Sequence, residues 1–392
     1  MDVVLAVDAI VTPLTGIGRY AFELAHRLPK HAHIKKMRYF SFGRWLSDVE
    51  LERLTTTHSK PTSATTTKGN SLRNRLAGNR LAVRAYHTLS TPFYGWRLRG
   101  ESDSIFHSPN YFLPPFPGRS VATIHDLSHV WFPQFHPIAR VDYLTRALPE
   151  TLRRADFLIT DAESVRQEVI RHFGWPSDRV AAIPLGVDSI FRPRTSVDLL
   201  PVLQRYGLHV DGYTLHVGTV EPRKNLDGLL SAYEALPSTL RQRVPLVLVG
   251  AYGWQSESIH ARIGKGAAAG WVRYLNFVQQ DELPFLYSGA RLFAYPSFYE
   301  GFGLPVLEAM ASGVPVVTSN GSSLPEVVGS TALLVDPRDV QALTTALVRG
   351  LEDEVWRTSA IRDGLARASA FEWSKCVDST VLIYEKLLQQ SS

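Results

Sequence analysis

The sequence has one cysteine, Cys376, in 392 residues. A single thiol excludes an internal disulfide, a cysteine-built zinc site and a Cys-x-x-Cys redox pair. No apolar run approaches the roughly 18 residues that a membrane span requires. The stretch Met1–Asp8 carries acids where a secretory leader needs a basic start and an unbroken apolar core, so a reducing, cytoplasmic setting is expected. From Arg53 to Gly100 there is no Asp or Glu against nine Lys and Arg. Charge of one sign over so long a stretch points to an anionic partner: nucleic acid, nucleotide phosphate or a lipid surface.

What is present is an ordinary globular composition, 45% apolar and 20% charged, which excludes a disordered chain. The length suggests two or three domains of roughly 150 residues each. Residues 1–190 hold 24 Lys and Arg against 17 Asp and Glu, whereas residues 191–392 hold 18 against 20. The basic excess therefore belongs to the first half.

Short apolar runs alternate with helical patterns twice over. Strands are expected at Val3–Val7, Met37–Phe42, Ser104–His107, Val121–Ile124, Phe157–Thr160 and Val180–Ile183. The second half repeats the scheme at Tyr213–Val217, Pro245–Gly250, Val272–Phe277, Leu292–Tyr295, Pro315–Thr318 and Ala332–Val335. Helices are expected between them, among them Gly18–Leu28, Ile138–Arg153, Ala162–Phe173, Leu226–Ala235, Ser256–Ala268, Asp281–Ser288, Leu304–Ser312 and Val340–Leu351. Nearly continuous apolar strands alternating with helices argue for buried parallel sheets. The fold class is α/β, with two Rossmann-like doubly wound domains facing across a cleft. We place the first at 1–190, a linker at 191–202, the second at 203–370, and a C-terminal helix at 371–392 that crosses back to the first domain. Thr55–Asn70 reads as a flexible insertion, and Leu72–Leu89 interleaves apolar residues with Arg73, Arg75, Arg80 and Arg84 in a basic amphipathic pattern.

The densest chemistry lies in Tyr299–Pro315, after the strand Leu292–Tyr295. Gly301–Gly303 is narrow enough for a ligand to approach the backbone, and Pro305 suits a first helical turn. The N–H groups of that helix start make an anion site at the carboxyl edge of the sheet. Glu300 precedes the helix and Glu308 lies about a turn inside it. Both carboxylates are placed to accept from hydroxyls in one crevice, although each alone also reads as a favourable acid at a helix N-terminus. A second cluster is Gly218–Asn225, where Arg223 offers a planar fork and Lys224 a point charge, both suited to a diphosphate. Taken alone it equally reads as a solvated basic turn.

Three weaker motifs lie in the first half. Thr15-Gly16-Ile17-Gly18-Arg19-Tyr20 follows the first strand and resembles a phosphate or sugar loop, but it lacks the third glycine of the dinucleotide fingerprint. Thr123–Leu127 puts His125 and Asp126 at the carboxyl end of a parallel strand, where ligands bind. His125 is placed to donate to a sugar hydroxyl or a leaving oxygen, and Asp126 to orient it or meet an acceptor. A lone histidine there is more often structural. Pro184–Asp188 is a turn lining the crevice near the hinge.

Together these residues resemble a retaining glycosyltransferase of family 4 with the GT-B architecture. The Glu-x7-Glu element Glu300–Glu308, the run Glu221-Pro222-Arg223-Lys224-Asn225 and the run Ile183–Asp188 carry the resemblance, which spans nearly the whole chain. It implies that Arg223 and Lys224 neutralise the diphosphate of a nucleotide-sugar donor. It implies that Glu308 holds the ribose hydroxyls, and that Glu300 holds a sugar hydroxyl with backbone N–H groups near Phe302, Gly303 and Leu304. Gly16 and Gly18 let the first-domain loop approach the phosphate, His125 contacts the donor sugar, and the base stacks near Phe277 and Val278. Asp126 and Tyr20 lie on the acceptor side. No metal or other cofactor is implied, and the sequence carries no DxD-like pair at a comparable loop. Asp161-Ala162-Glu163-Ser164 departs from the family, which commonly has a small or hydroxyl residue there.

The expected activity is transfer of a hexose, with mannose from GDP-mannose as the specific reading, to a saccharide or lipid-linked oligosaccharide in lipopolysaccharide, O-antigen or exopolysaccharide synthesis. Segment 53–100 would then face the anionic inner leaflet as a peripheral contact. Two alternatives stay open: a sugar-nucleotide epimerase or phosphorolytic enzyme of the same fold, and a basic nucleic-acid-binding protein. Against the last, the aromatics Tyr86, Phe93, Tyr94 and Trp96 cluster late instead of interleaving with the charges, so no nucleic-acid partner is expected.

Overall fold

A computed structural model describes residues 1–11, 14, 16–56 and 91–389, with side chains from 53 to 56 left out. Thr55 and Thr56 close a helix Asp48–Thr56, while the rest of the expected insertion and Arg73, Arg75, Arg80 and Arg84 lie outside the described residues. The chain divides into two compact units, Met1–Leu185 with Trp373–Ser392, and Gly186–Glu372.

The first unit is built on a seven-stranded sheet of order β3-β2-β1-β4-β5-β6-β7. Its strands are β1 (Asp2–Ala6), β2 (Lys36–Ser41), β3 (Arg44–Leu46), β4 (Ile105–Ser108), β5 (Arg119–Ile124), β6 (Phe157–Thr160) and β7 (Val180–Ala182). All pair in parallel except β3, which runs antiparallel to β2 through a two-residue turn at Phe42-Gly43. Both turn residues have positive φ, 47° and 79°, as the hairpin turns that match strand twist require. The sequence pattern misses β3 because three residues are too few to show a period and Phe-Gly is not a usual hairpin pair. The helix Gly16–Arg27 packs Gly18, Tyr20, Ala21, Leu24 and Ala25 inward.

The second unit carries a wholly parallel six-stranded sheet of order β10-β9-β8-β11-β12-β13. Its strands are β8 (Thr214–Val217), β9 (Leu246–Val249), β10 (Val272–Asn276), β11 (Leu292–Tyr295), β12 (Val316–Ser319) and β13 (Leu333–Val335). β9, β11 and β12 are buried at every residue, as the centre of a helix-covered parallel sheet demands, while the edge strands β10 and β13 expose Arg273 and Leu334. The core behind it includes Leu226, Leu229, Leu230, Tyr233, Leu246, Leu248, Leu343 and Leu347. Fully burying each leucine contributes about 2 kcal/mol relative to leaving it in water.

Differences from the pattern have local causes. Residues 196–205, partly within the expected linker, form a helix started by a capping box in which Thr195 and Asp198 exchange hydrogen bonds. The helix Glu354–Ala368 escapes the periodicity because its buried face is Arg357, Ala360, Gly364 and Ala368, small residues and a charge. The helices Ser238–Arg243 and Leu324–Val328 are too short to show a period. Phe277 lies past the end of β10.

In both sheets the strand order reverses beside the first strand, between β1 and β4 and between β8 and β11. Loops leaving the carboxyl ends of such neighbours diverge and open a crevice, the place where doubly wound sheets bind ligands.

Candidate functional site

The reversal in the second sheet explains why distant motifs meet. β8 and β11 are neighbours, with Thr214 opposite Leu292 and Leu215 opposite Phe293. The loops that follow them carry Arg223 with Lys224 and Glu300. Asn225 locks the first loop to the second: its backbone is left-handed at φ 55°, its side-chain oxygen caps the helix Leu226–Ala235, and its amide donates to the carbonyls of Pro296 and Pro337 at 3.1 and 2.6 Å. A further bond runs from the Phe298 N–H to the Arg223 carbonyl. Close approach of the loops after β8 and β9 needs Gly250, where a Cβ would fall 1.9 Å from the Gly218 carbonyl oxygen.

The three charged side chains form one buried network. Lys224 Nζ donates to Glu300 Oε1 at 2.7 Å and to the Tyr295 hydroxyl at 2.5 Å. The Arg223 guanidinium sits 3.0 Å from Glu300 Oε2, and donates to Glu221 and the Tyr299 carbonyl at 2.7 and 2.6 Å. Lys224 is 8% exposed, Glu300 7% and Glu221 2%. Burial by itself would raise the Glu300 carboxyl, but Arg223 and Lys224 outweigh it and hold it down at about 2. Burial and the neighbouring Arg223 lower the Lys224 ammonium, against the pull of Glu300. Both oxygens of Glu300 are thus engaged by cations, which keeps it ionised and makes it neither a proton donor nor a free nucleophile. Beneath them His216 stacks on Tyr295, 5.3 Å between ring centres, and donates from Nδ1 to the Ala294 carbonyl. Burial pushes its pKa down to about 4, so it adds no charge to the site.

The second loop is shaped for close approach by a ligand. Gly303 adopts φ 109°, and a Cβ there would fall 2.7 Å from Leu324. Ser323 donates to the carbonyls of Glu300 and Phe302, turning them away and fixing the loop. The N–H groups of Phe302, Gly303 and Leu304 precede or open the helix Leu304–Ala311 and find no acceptor among the described residues. Glu308 accepts from the Tyr287 hydroxyl at 2.8 Å.

In the first unit the sheet register sets another pair. Thr123 lies opposite Ile159 and Ile124 opposite Thr160, so the next residues along, His125 and Asp161, stand side by side. His125 Nδ1 lies 2.7 Å from Asp161 Oδ2, and Nε2 lies 2.7 Å from the Pro109 carbonyl. His125 is 5% exposed. Asp126 accepts from the backbone and hydroxyl of Ser128, the first residue of the short helix Ser128–Trp131. Gly16 opens the helix Gly16–Arg27, exposed, with Gly18 buried two residues on.

One expected residue is corrected. Tyr20, read as acceptor-facing, is fully buried, and its hydroxyl bonds Thr123 at 3.1 Å. Of the pair expected beside the base, Val278 is 7% exposed and Phe277 58%. Sequence reasoning missed Tyr295, which supports Lys224, and Asp161, which holds His125. Tyr295 looks like an ordinary core aromatic. Asp161 is legible only through the β5–β6 register.

Residues 14–190 match the family model described as Glycosyltransferase Family 4, and residues 209–366 match the one described as Glycosyl transferases group 1. The O-antigen chain mannosyltransferase B of Escherichia coli is 42% identical over 387 residues, covering 99% of this chain and 100% of that protein. The chain belongs to the glycosyltransferases. The serotype-specific mannosyltransferase WbdA of Escherichia coli is 33% identical over 75% of the chain, which spans 36% of that longer protein. Among solved structures, a sucrose-phosphate synthase from Thermosynechococcus elongatus superposes with a TM-score of 0.73 at 21% identity, covering 100% of both chains. WaaG, a glycosyltransferase of lipopolysaccharide biosynthesis, gives 0.68 at 17% identity over 97% of this chain and 99% of that one. These likenesses establish the GT-B fold of two parallel-sheet α/β units. Within a glycosyltransferase, the Arg223–Lys224–Glu300 network occupies the loops where the sheet topology opens a crevice.

Proposed function

We propose that the chain is a retaining mannosyltransferase that takes mannose from GDP-mannose to a saccharide or lipid-linked acceptor in O-antigen synthesis, with no metal ion. Full-length identity of 42% to an O-antigen chain mannosyltransferase supports the sugar and the pathway. The observation that carries the chemistry is the buried Arg223–Lys224 pair on Glu300.

Leaving-group departure places growing negative charge on a diphosphate. Two fixed cations, shielded from water, stabilise that charge far better than they would in solvent. The N–H groups of Phe302, Gly303 and Leu304 add oriented dipoles. Glu300 keeps the cations in place and offers its carboxylate to a sugar hydroxyl, and Glu308 receives the ribose hydroxyls. In the first unit, Gly16 and Gly18 admit the phosphate, His125 meets the sugar and Asp126 lies toward the acceptor. For retention, the sugar C1–phosphate bond breaks and the C1–acceptor bond forms on the same face, while the acceptor's hydroxyl proton passes to the departing phosphate. The engagement of both Glu300 oxygens by cations favours this route over a covalent glycosyl-enzyme.

A lipid-linked acceptor would bring the enzyme to an anionic inner leaflet. Phe93 and Trp96, 49% and 54% exposed and stacked 6.2 Å apart, stand beside the exposed Arg97 and Arg99, a composition suited to a membrane interface. Among the described residues no helix is long and apolar enough to cross a membrane.

Incubation with GDP-mannose and a mannose-terminated oligosaccharide in excess chelator tests the proposal. An α-linked mannosyl product is expected. A β-linked product, or activity restored only by a divalent cation, would overturn retention or metal independence respectively. Epimerisation of the nucleotide-sugar without an acceptor would overturn transfer itself.

A further inference from the structure

The His125–Asp161 pair has a proton count that follows from geometry alone. The Pro109 carbonyl can only accept, so Nε2 must carry hydrogen to sit 2.7 Å from it. Nδ1 and Asp161 Oδ2 are also 2.7 Å apart, and two lone pairs do not approach so closely in a buried site. One further proton therefore lies between them. The pair is either an imidazolium with a carboxylate or a neutral imidazole with a carboxylic acid, and both hold one proton more than a neutral histidine beside an ionised aspartate.

The surroundings keep that proton in place. Asp161 Oδ1 is buried and has no hydrogen-bond partner, so the shared proton is the carboxylate's direct compensation. Asp126, at the end of the same strand as His125, adds negative charge. The other titratable groups against the pair are neutral at ordinary pH: Tyr20 from the helix Gly16–Arg27, Tyr111, His107 on β4, and Cys376 on the helix Trp373–Gln389. Burial raises the two tyrosines and the thiol and pushes His107 down to about 3. Burial alone would also drive the proton off His125, but Asp161 reverses that and raises it above 6.5.

We propose that Asp161 is a positioning residue for glycosyl transfer: it locks His125 between the Pro109 carbonyl and its own carboxylate as a proton-bound pair, and loss of that proton sets the alkaline limit of turnover. This rests on the reading of His125 as a donor-sugar contact. As pH rises the pair gives up its proton, one of the two contacts becomes a lone-pair repulsion, and the ring leaves its place.

Asp161→Asn preserves shape and can still donate to Nδ1 of a neutral ring, but it cannot hold the proton. Histidine-selective 15N NMR, with the resonance assigned by its loss in His125→Gln, reads the protonation directly. In the wild type the pair should stay proton-bound above pH 6.5. In Asp161→Asn the ring should be neutral at pH 7, kcat should fall by about tenfold or more, and its alkaline limb should vanish or shift. A wild-type pair that gives up its proton below pH 6.5, read as a titration step in the ring 15N shifts, or a variant with an unchanged pH–kcat profile, overturns the inference. If the NMR titration behaves as stated while His125→Gln keeps full activity, the pair exists but the donor-contact reading of His125 fails. The wild-type titration stands by itself if the variant does not fold.

Discussion

The two units place polar groups at the carboxyl edges of similar sheets, yet they solve burial differently. In the second unit, Arg223 and Lys224 face Glu300 and Glu221, permanent charges balanced against one another. In the first, His125 and Asp161 share a proton, and behind them a neutral chain runs from Tyr384 through His107 and Thr123 to Tyr20. Fixed charge persists at any ordinary pH, as the proposed diphosphate site requires. A shared proton makes the placing of His125, proposed to meet the donor sugar, depend on pH.

The largest expected effect falls on the charged side. Lys224→Ala should lower kcat by about 10²–10³-fold, the cost of losing one stabiliser of developing charge. A loss under tenfold would mean that the two cations are not the electrostatic centre. Glu300→Gln probes stability in the same network, because it removes the carboxylate bonded to the buried Lys224 and leaves Arg223 with Glu221 alone. Urea unfolding should show the second unit destabilised by about 3 kcal/mol, in line with breaking a buried ion pair.

The pH dependence of that difference has a definite sign. The Glu300 carboxyl is depressed from 4.5 to about 2. Its stabilisation is therefore complete above pH 4.5 and lost as pH falls toward 2. The gap between wild type and Glu300→Gln should be widest near neutrality and should close in that acid window. A gap independent of pH would contradict the ionised, cation-held carboxylate.

On the neutral side the effects are smaller. Tyr384→Phe removes the hydroxyl 2.6 Å from His107 Nδ1 and leaves a buried ring nitrogen unpaired, which should cost about 1–2 kcal/mol. Because Tyr384 lies on the helix Trp373–Gln389, the loss should appear in the first unit and leave nucleotide binding unchanged. The smallest effect is at the surface. Neutralising Arg97 and Arg99 together should weaken binding to anionic vesicles by about 1 kcal/mol per charge, and the wild-type affinity should fall with salt. Pelleting that ignores both salt and substitution would remove the membrane reading.

Legibility in the sequence followed physical range. Parallel strands such as Leu246–Val249 and Leu292–Tyr295 announce themselves because both faces are buried, and Arg223, Lys224 and Glu300 stood out because loops beside glycine and proline rarely carry such charge without reason. Short elements such as Arg44–Leu46 gave no period. The burial of Tyr20 and the pairing of His125 with Asp161 depend on register and packing between segments far apart in the chain. Composition carries no record of these. The departure at Asp161 was visible as an oddity, but its partner was not.

The central claim is that Arg223 and Lys224, held by Glu300, perform the charge stabilisation that a metal ion would otherwise supply. Single-turnover mannosyl transfer from GDP-mannose in excess chelator, for wild type and for Arg223→Ala with Lys224→Ala, tests it most directly. The account predicts undiminished wild-type turnover and a loss of about 10³-fold or more in the double variant, with folding verified by its unfolding transition. Abolition of wild-type transfer by the chelator, or a double variant that keeps most of its rate, would contradict it.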